Sequence, residues 1–498
     1  MPAKEKSNKR VEFPAKLTVK EKSLRKNCET ITRTYKLITP MFGGGFEAAK
    51  YDPITPIRAS SIKGQLRFWW RATCGGQFDG SLKRLRKAEA WLWGAAADDK
   101  EGKKKADKQL GESRIRISVE VNNNNQTVYF KKKNTTWVED EKYKYLKYHE
   151  YGTFPLRTNS NNRLLHYKEF TIKISFPVLP LYPEREVIDN KKHNIEDEVK
   201  ATLWAWEMFG GIGARTRRGF GSIQSLNNEY KSPASNNQDE IIAWLKTGLE
   251  NHLYNGTWPE GIPHLSEDLN NYHVVTTNKL NLRLSPANHN DAKITHNVDV
   301  GPWYILLNNL SLFRQLRKGF RGFNSRSRWP EPDEIRYITK FSDSRHSSPI
   351  LIRKDRQRVK KFPRAEFGLP IVFKFKDGAR NSNNYKSQDP YITTLLGLEH
   401  ERLASPLILK PIAFANKKTI GIAVYLQTEG KILPLEKLGL EIKDGSKKVK
   451  VEYQLDDQDT EAIKNASNVI SPSRFDHNSF HSSKSLIKEF LDFLRRNP

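Results

Sequence analysis

The sequence predicts an α+β protein of two domains, on three observations. Short apolar-alternating runs are interspersed with amphipathic helical stretches, the mixture that marks this class. At 498 residues the chain exceeds what one ordinary core organises, since domains run to roughly 100–200 residues each. The stretch from Asn227 to Gln238 is rich in Asn, Ser and Pro and offers a linker near the middle. The expected units are therefore a basic flexible tail over 1–28, an N-terminal domain over 29–228 and a C-terminal domain over 229–498.

Residues 1–28 are Lys-rich and lack apolar periodicity, as expected of a mobile tail. A first strand is predicted over Thr32–Thr39, ending at Pro40. Gly43-Gly44-Gly45 follows, backbone with few steric limits that suits close approach by a ligand or another chain. Ser60 and Ser61 are the expected N-cap of a helix over Ile62–Thr73. Ile62, Leu66, Trp69 and Thr73 share one face of it, while Lys63, Arg67 and Arg71 share a neighbouring one. A second helix is predicted over Ser81–Trp93, before Gly94. The charged stretch 95–112 reads as a solvated loop, Ser113–Val121 alternates as a strand, and a second long insertion covers 122–166. Phe170–Pro177 resumes as a strand, Glu196–Phe209 as a helix and Ser222–Gln224 as a strand. Strand, helix, strand, strand, helix, strand is the split βαβ order of a ferredoxin-like sandwich with insertions. Beyond the linker, strands are predicted at Val274–Leu284, Gly368–Phe375 and Thr419–Gln427, and helices at Trp303–Phe320 and Ser483–Arg496. These fit a second, more degraded α+β domain, with the charged region 321–364 unassigned.

Composition narrows the function. Lys and Arg number 85 against 57 Asp and Glu, a formal net charge of +28, and this excess attracts polyanions. No apolar run approaches the roughly 20 residues that cross a bilayer, and the basic N-terminus lacks a signal-peptide core. A cytoplasmic nucleic-acid binder is the expectation. The two cysteines, Cys28 and Cys74, exclude a disulfide framework and a four-Cys zinc site. No His-Glu-x-x-His, Cys/His zinc spacing or Gly-x-Ser-x-Gly elbow is present, so no catalytic, metal or cofactor site is assigned.

Two basic constellations carry the chemistry. Arg58, Ser60, Ser61 and Lys63 converge at a helix start, where free backbone N–H groups favour phosphate, and Arg67 and Arg71 continue the track one and two turns on. A solvated basic helix face is the alternative. The second is Gly210-Gly211-Ile212-Gly213-Ala214-Arg215-Thr216-Arg217-Arg218-Gly219-Phe220-Gly221, whose glycines permit a compact, phosphate-hugging backbone with three arginines beside it. It is not a nucleotide-triphosphate loop, because no Gly-Lys-Ser/Thr closes it and it follows a helix. Trp69 belongs on the apolar stripe, whereas Trp70 is open to either core packing or base stacking. Tyr143, Tyr145, Tyr148 and Tyr151 interleave with lysines, compatible with stacking or with a docked element. His289 and His296 read as solvated, and Asp52, in the loop ahead of the basic helix, reads first as a surface loop residue, with a carboxylate that meets RNA and a metal ion as the alternative.

Pro40-Met41-Phe42-Gly43-Gly44-Gly45, with the run Ile57-Arg58-Ala59-Ser60-Ser61-Ile62-Lys63-Gly64-Gln65-Leu66-Arg67-Phe68-Trp69-Trp70-Arg71, resembles the opening motif of RAMP proteins of CRISPR systems (Cas7-like). More narrowly, it is similar to the first subunit of the type III-B Cmr effector complex. The loop 210–221 resembles the family's glycine-rich hallmark, and Arg402-Leu403-Ala404-Ser405-Pro406-Leu407-Ile408-Leu409 a late motif of that subunit. The resemblance implies two ferredoxin-like (RRM-like) domains in tandem with long insertions. It also implies a non-catalytic RNA-binding role in antiviral defence, near the 3′ end of a CRISPR guide RNA. There the subunit would help capture target single-stranded RNA beside other Cmr subunits. Arg58, Ser60, Ser61, Lys63, Arg67 and Arg71 with Gly210, Gly211, Gly213, Arg215, Arg217, Arg218, Gly219 and Gly221 would form the RNA surface. The alternative is a RAMP-type endoribonuclease, cutting target RNA through Asp52 or processing repeat RNA.

Overall fold

The computed structural model describes residues 28–45, 50–95, 112–122, 126–129, 131–133, 136–138, 163–166, 169–178, 194–227, 233, 237–276, 301–318, 327, 329–342, 348–375, 390–414, 418–429, 437–442, 448–468 and 483–496. The tail 1–27, Tyr143–Tyr151, His289 and His296 lie outside them, as does most of the insertions 95–112 and 122–166.

β1 (Cys28–Leu37) turns Arg33, Tyr35 and Leu37 inward and its threonines outward. The two-residue β2 (Met41–Phe42) follows, then α1 (Ala59–Cys74) and α2 (Leu82–Trp93). β3 (Arg116–Val121) is an edge strand. The short strands β4 (Gln126–Tyr129), β5 (Lys131–Lys133), β6 (Thr136–Val138) and β7 (Arg163–His166) lie between it and β8 (Glu169–Pro177). α3 (Ile195–Phe209) and β9 (Ile223–Ser225) close the first half. The antiparallel sheet runs β3-β8-β1-β9, as an α+β architecture requires.

α1 and α3 cover the apolar side of this sheet because each carries a continuous apolar stripe. Trp206 meets Tyr35 edge-on at 5.2 Å, and Trp69 lies 6.0 Å from Phe209. Trp70 is wholly buried and donates its indole N–H to Glu198 at 2.9 Å, while Gln77 donates to the other carboxylate oxygen at 3.0 Å. Core packing, not base stacking, is therefore the role of Trp70, and its indole satisfies a buried carboxylate that would otherwise be costly.

The expected linker ends in a helix. α4 (Gln238–His252) is capped by the Asn237 side chain, which accepts from the Asp239 amide at 2.8 Å, and buries Ile241, Leu245 and Leu249. β10 (Tyr272–Val275) and α5 (Gly301–Lys318) follow, then α6 (Glu331–Thr339). One sheet of the second half holds β11 (Ile371–Phe373) and β12 (Thr393–Gly397), joined later by β15 (Leu438–Ile442) and β16 (Lys448–Val451). Another has the order β10-β14-β13, from β13 (Leu407–Ala413) and β14 (Thr419–Tyr425). α7 (Asp457–Asn468) and α8 (Leu486–Arg496) end the chain's helices, and α5 and α8 both pack on β14. One hydrophobic core is continuous from Ile172, Leu66 and Trp206 through Leu245 to Ile408 and Val424, so the two halves are joined by buried apolar side chains.

Among the described residues of 321–364, charges pair both inside the region and beyond it, where Arg353 meets Asp456 and Asp459. Arg358 binds Glu334 at 2.7 Å, and Arg364 reaches buried Glu331 at 3.2 Å.

Candidate nucleic-acid interface

Segments far apart in sequence meet at the end of the first sheet. The amide of Ala214 donates to the carbonyl of Phe42 at 2.6 Å, and that of Gly221 to Pro40 at 2.9 Å. The glycine-rich loop is thus zipped onto the residues around β2. Gly43 and Gly44 have φ of +62° and +98°, and Gly213 has φ of +79°, the left-handed region that glycine enters without strain. A Cβ on Gly44 would sit 3.5 Å from Gly213 Cα, so the two glycine stretches face each other.

α1 enters the same place. Arg58 occupies the cap position in extended backbone and donates through Nη2 to the Gly44 carbonyl at 2.6 Å. Ser60 and Ser61 therefore sit within the first turn, exposed, and neither caps the helix as predicted. That turn holds no acidic residue and no side-chain cap, which leaves its first N–H groups with the partial positive charge that favours an anion. Lys63, one turn on, is half-buried, and burial followed by the nearby Arg67 charge pushes its ammonium below the usual lysine range. Gln65 accepts from the Trp206 indole at 2.9 Å, and the same indole lies 3.2 Å from the Gly211 carbonyl. The floor of the site is consequently a buried aromatic shared by α1, α3 and the loop.

Other predicted contacts are differently placed. Arg67 and Arg71 converge on one carboxylate oxygen of Glu89, at 2.8 and 2.5 Å. Glu89, buried on α2, was missed; it is the only carboxylate of an otherwise basic helix, a signal open to view. Arg217 donates to the Ser405 carbonyl and lies 5.0 Å over the Phe68 ring. Arg218 donates to the Leu407 carbonyl at 2.7 Å and to Ser405 Oγ at 3.1 Å. Gly210, Gly211, Gly219 and Gly221 are buried, which makes them packing positions, while Gly213 and Arg215 are half-exposed and Ala214 is exposed. Gly64 is exposed with nothing within 4 Å of a Cβ, and its place between Ser60 and Arg67 on the helix face escaped the sequence reading.

The uncovered face of the first sheet carries Thr30, Thr32, Thr34 and Lys36, opposite Ser175, Lys173, Thr171 and Glu169. None of these is aromatic, so among the described residues of these two strands this face offers no rings of the kind on which RRM sheets stack bases. Asp52 is spent locally: its Oδ1 accepts from the amides of Ile54 and Thr55 at 2.9 and 3.1 Å, and its Oδ2 from the Thr55 hydroxyl at 2.9 Å. Those hydrogen bonds hold its carboxyl below the usual aspartate range. Among the described residues no group of three His, Cys, Asp or Glu could hold a metal ion, and no helix is long and apolar enough to cross a membrane.

Residues 34–224, which span β1, α1 and the glycine loop, match the RAMP superfamily. The chain is 24% identical over 188 residues to CRISPR system Cmr subunit Cmr1-2 of Pyrococcus furiosus, an alignment covering 38% of this chain and 90% of that relative. Among solved structures, apo Cmr1 from Pyrococcus furiosus superposes with a TM-score of 0.39 at 17% identity, over 81% of this chain and 89% of the other. A chain of a type III-B Cmr-beta complex bound to cognate target RNA superposes with a TM-score of 0.43 at 12% identity, over 89% and 100%. The region that matches the RAMP superfamily holds both glycine-bearing segments and the basic helix start.

Proposed function

We propose that this protein is a non-catalytic, RNA-binding subunit of a type III-B CRISPR (Cmr) ribonucleoprotein, acting in the cytoplasm near the guide RNA 3′ end and helping to capture target RNA. The carrying observation is the meeting of Gly43–Gly45, the uncapped start of α1 and the loop 210–221, tied by Arg58 to Gly44 and by Ala214 to Phe42. Together they offer exposed hydroxyls, left-handed glycine backbone and the cations of Arg58, Lys63 and Arg215, a surface suited to a ribose-phosphate chain. The Cmr1-2 likeness supports the assignment to a Cmr effector.

In this reading the second half is a ferredoxin-like unit with three of its four strands among the described residues. β10, α5, β13, β14 and α8 keep the chain order, and β10-β14-β13 is the sheet order first, third, second. The β11-β12-β15-β16 sheet would then be inserted around it. A non-catalytic role accords with Asp52 being occupied by its own turn.

The test is a titration of the purified protein with labelled single-stranded RNA across a salt series. Lys63→Gln should weaken binding and lower the log–log salt slope by about 0.7, the value for one lost phosphate contact on a single strand. Binding and slope identical to the parent would remove Lys63 and this surface from the RNA path. Incubation with RNA and Mg²⁺ addresses the nuclease reading, which specific products lost in Asp52→Ala would restore.

A further inference from the structure

Two arginines of the glycine loop point away from solvent. The turn Thr216–Arg218 lies between Arg215 and Gly219, both left-handed at φ +61° and +81°, and this reversal delivers both guanidinium groups to the segment before and at the start of β13. Two further hydrogen bonds join the same parts of the molecule. The Trp303 indole on α5 donates to the Arg218 carbonyl at 2.9 Å, and Lys410 of β13, wholly buried, donates to the Glu207 carbonyl at 2.5 Å near the end of α3. A Cβ on Gly219 would collide with the Trp303 ring and the Leu409 carbonyl, so the loop lies against the second half without clearance.

We propose that Arg217 and Arg218 are positioning residues, through which the Ser405–Lys410 segment acts as a template that fixes the backbone of loop 211–221 in its RNA-competent shape. This rests on the RNA-binding reading above. To serve as phosphate ligands, the two side chains would have to abandon the Ser405 and Leu407 carbonyls, and Arg217 would leave the Phe68 ring. Planar guanidinium groups suit this task because one group donates in two fixed directions, as Arg218 does to Leu407 and Ser405; lysine retains the charge but not the fork. Charge and geometry are therefore separable by substitution.

The experiment compares the full chain with Arg217→Lys, Arg218→Lys, Arg217→Gln, Arg218→Gln and Ser405→Ala, by amide hydrogen exchange and by titration with labelled single-stranded RNA across a salt series. Lys63→Gln serves as the phosphate-contact control. The Lys variants are expected to exchange faster across 211–221 and to bind RNA about tenfold more weakly at an unchanged salt slope. Ser405→Ala, which removes no charge, should change in the same direction. The proposal is overturned if the Lys variants match the parent in exchange, or if they match it in affinity while each Gln variant loses about 0.7 from the slope. Should the parent bind no RNA, the functional reading fails, and exchange at 211–221 alone decides the template.

Discussion

The guanidinium of Arg58 donates to the Gly44 carbonyl at 2.6 Å, so the residue that opens α1 also holds the glycine segment behind β2. The chain between Gly44 and Arg58, a sequence separation of 14, is closed into a ring by this bond, and its geometry sets how widely the glycines stand from the helix start.

Arg58→Gln is expected to loosen that ring and leave the fold intact. Loss of a charged donor to a carbonyl costs about 1–2 kcal/mol, which a urea melt would register. The local effect should be larger: faster amide exchange over Gly43–Gly45 and weaker RNA binding. A stability loss without any change in exchange there would mean that Gly44 is held by its neighbours alone.

Glu89 sets the second prediction. Its carboxylate takes both Arg67 and Arg71, whose side chains remain 36% and 29% exposed, so RNA must compete with an internal anion for them. Glu89→Gln should destabilise the protein by about 1–2 kcal/mol, a modest figure because water screens the exposed ends of the pair. In the same variant the two guanidinium groups lose their counter-charge, and RNA affinity and salt slope should both rise. Weaker binding in Glu89→Gln would instead make the carboxylate an aligning partner of the arginines.

Those two arginines also mark what could be read from sequence. Periodicity placed Ile62, Leu66 and Trp69 on the buried face of α1 and the basic residues beside it, because helical spacing is local. It also yielded the order of elements that becomes the β3-β8-β1-β9 sheet. Partners across the fold were not legible. Arg218 meets Leu407 at a separation of 189 residues, and a charged residue in a glycine-rich stretch carries no local mark of an inward orientation. α4 was hidden for another reason: its Asn237 cap and its spacing of Ile241, Leu245 and Leu249 are ordinary helix signals, but the preceding Asn and Ser residues drew the reading towards a linker. β13 was passed over as a strand because Lys410 and Pro411 interrupt its apolar run, although both are buried.

A pH dependence is expected from Glu366. Its carboxyl is buried at the start of α8, where Oε2 accepts from the Ser485 hydroxyl at 3.0 Å and the Ile487 amide at 3.3 Å. Burial outweighs these bonds and the nearby Arg317 charge, and the carboxyl is pushed up to about 7 from an ordinary 4.5. The folded protein therefore binds a proton that the unfolded chain releases, so this group's stabilising contribution is full below pH 4.5 and is lost as pH rises through about 7. The change is on the order of 3 kcal/mol. Glu366→Gln keeps an oxygen for Ser485 and removes the titration. Chemical denaturation from pH 4.5 to 8 should thus show a decline in the parent that is flattened in the variant, and parallel curves would assign the decline to other groups.

Gly64 separates stability from function. It lies inside α1, exposed, with no atom within 4 Å of a Cβ position. Alanine at an exposed helix interior is more favourable than glycine by about 0.5–1 kcal/mol, so Gly64→Ala should raise the melting temperature slightly. One turn to either side lie Ser60 and Phe68, and Lys63 adjoins it, so the missing side chain opens the helix face where the RNA backbone is expected to approach. A methyl group there would hold the phosphates away from Lys63, and the RNA titration should weaken although the protein is more stable. Equal or tighter RNA binding by Gly64→Ala would show that the strand does not pass over this face, and the contact would have to be sought at Gly213 and Arg215 instead.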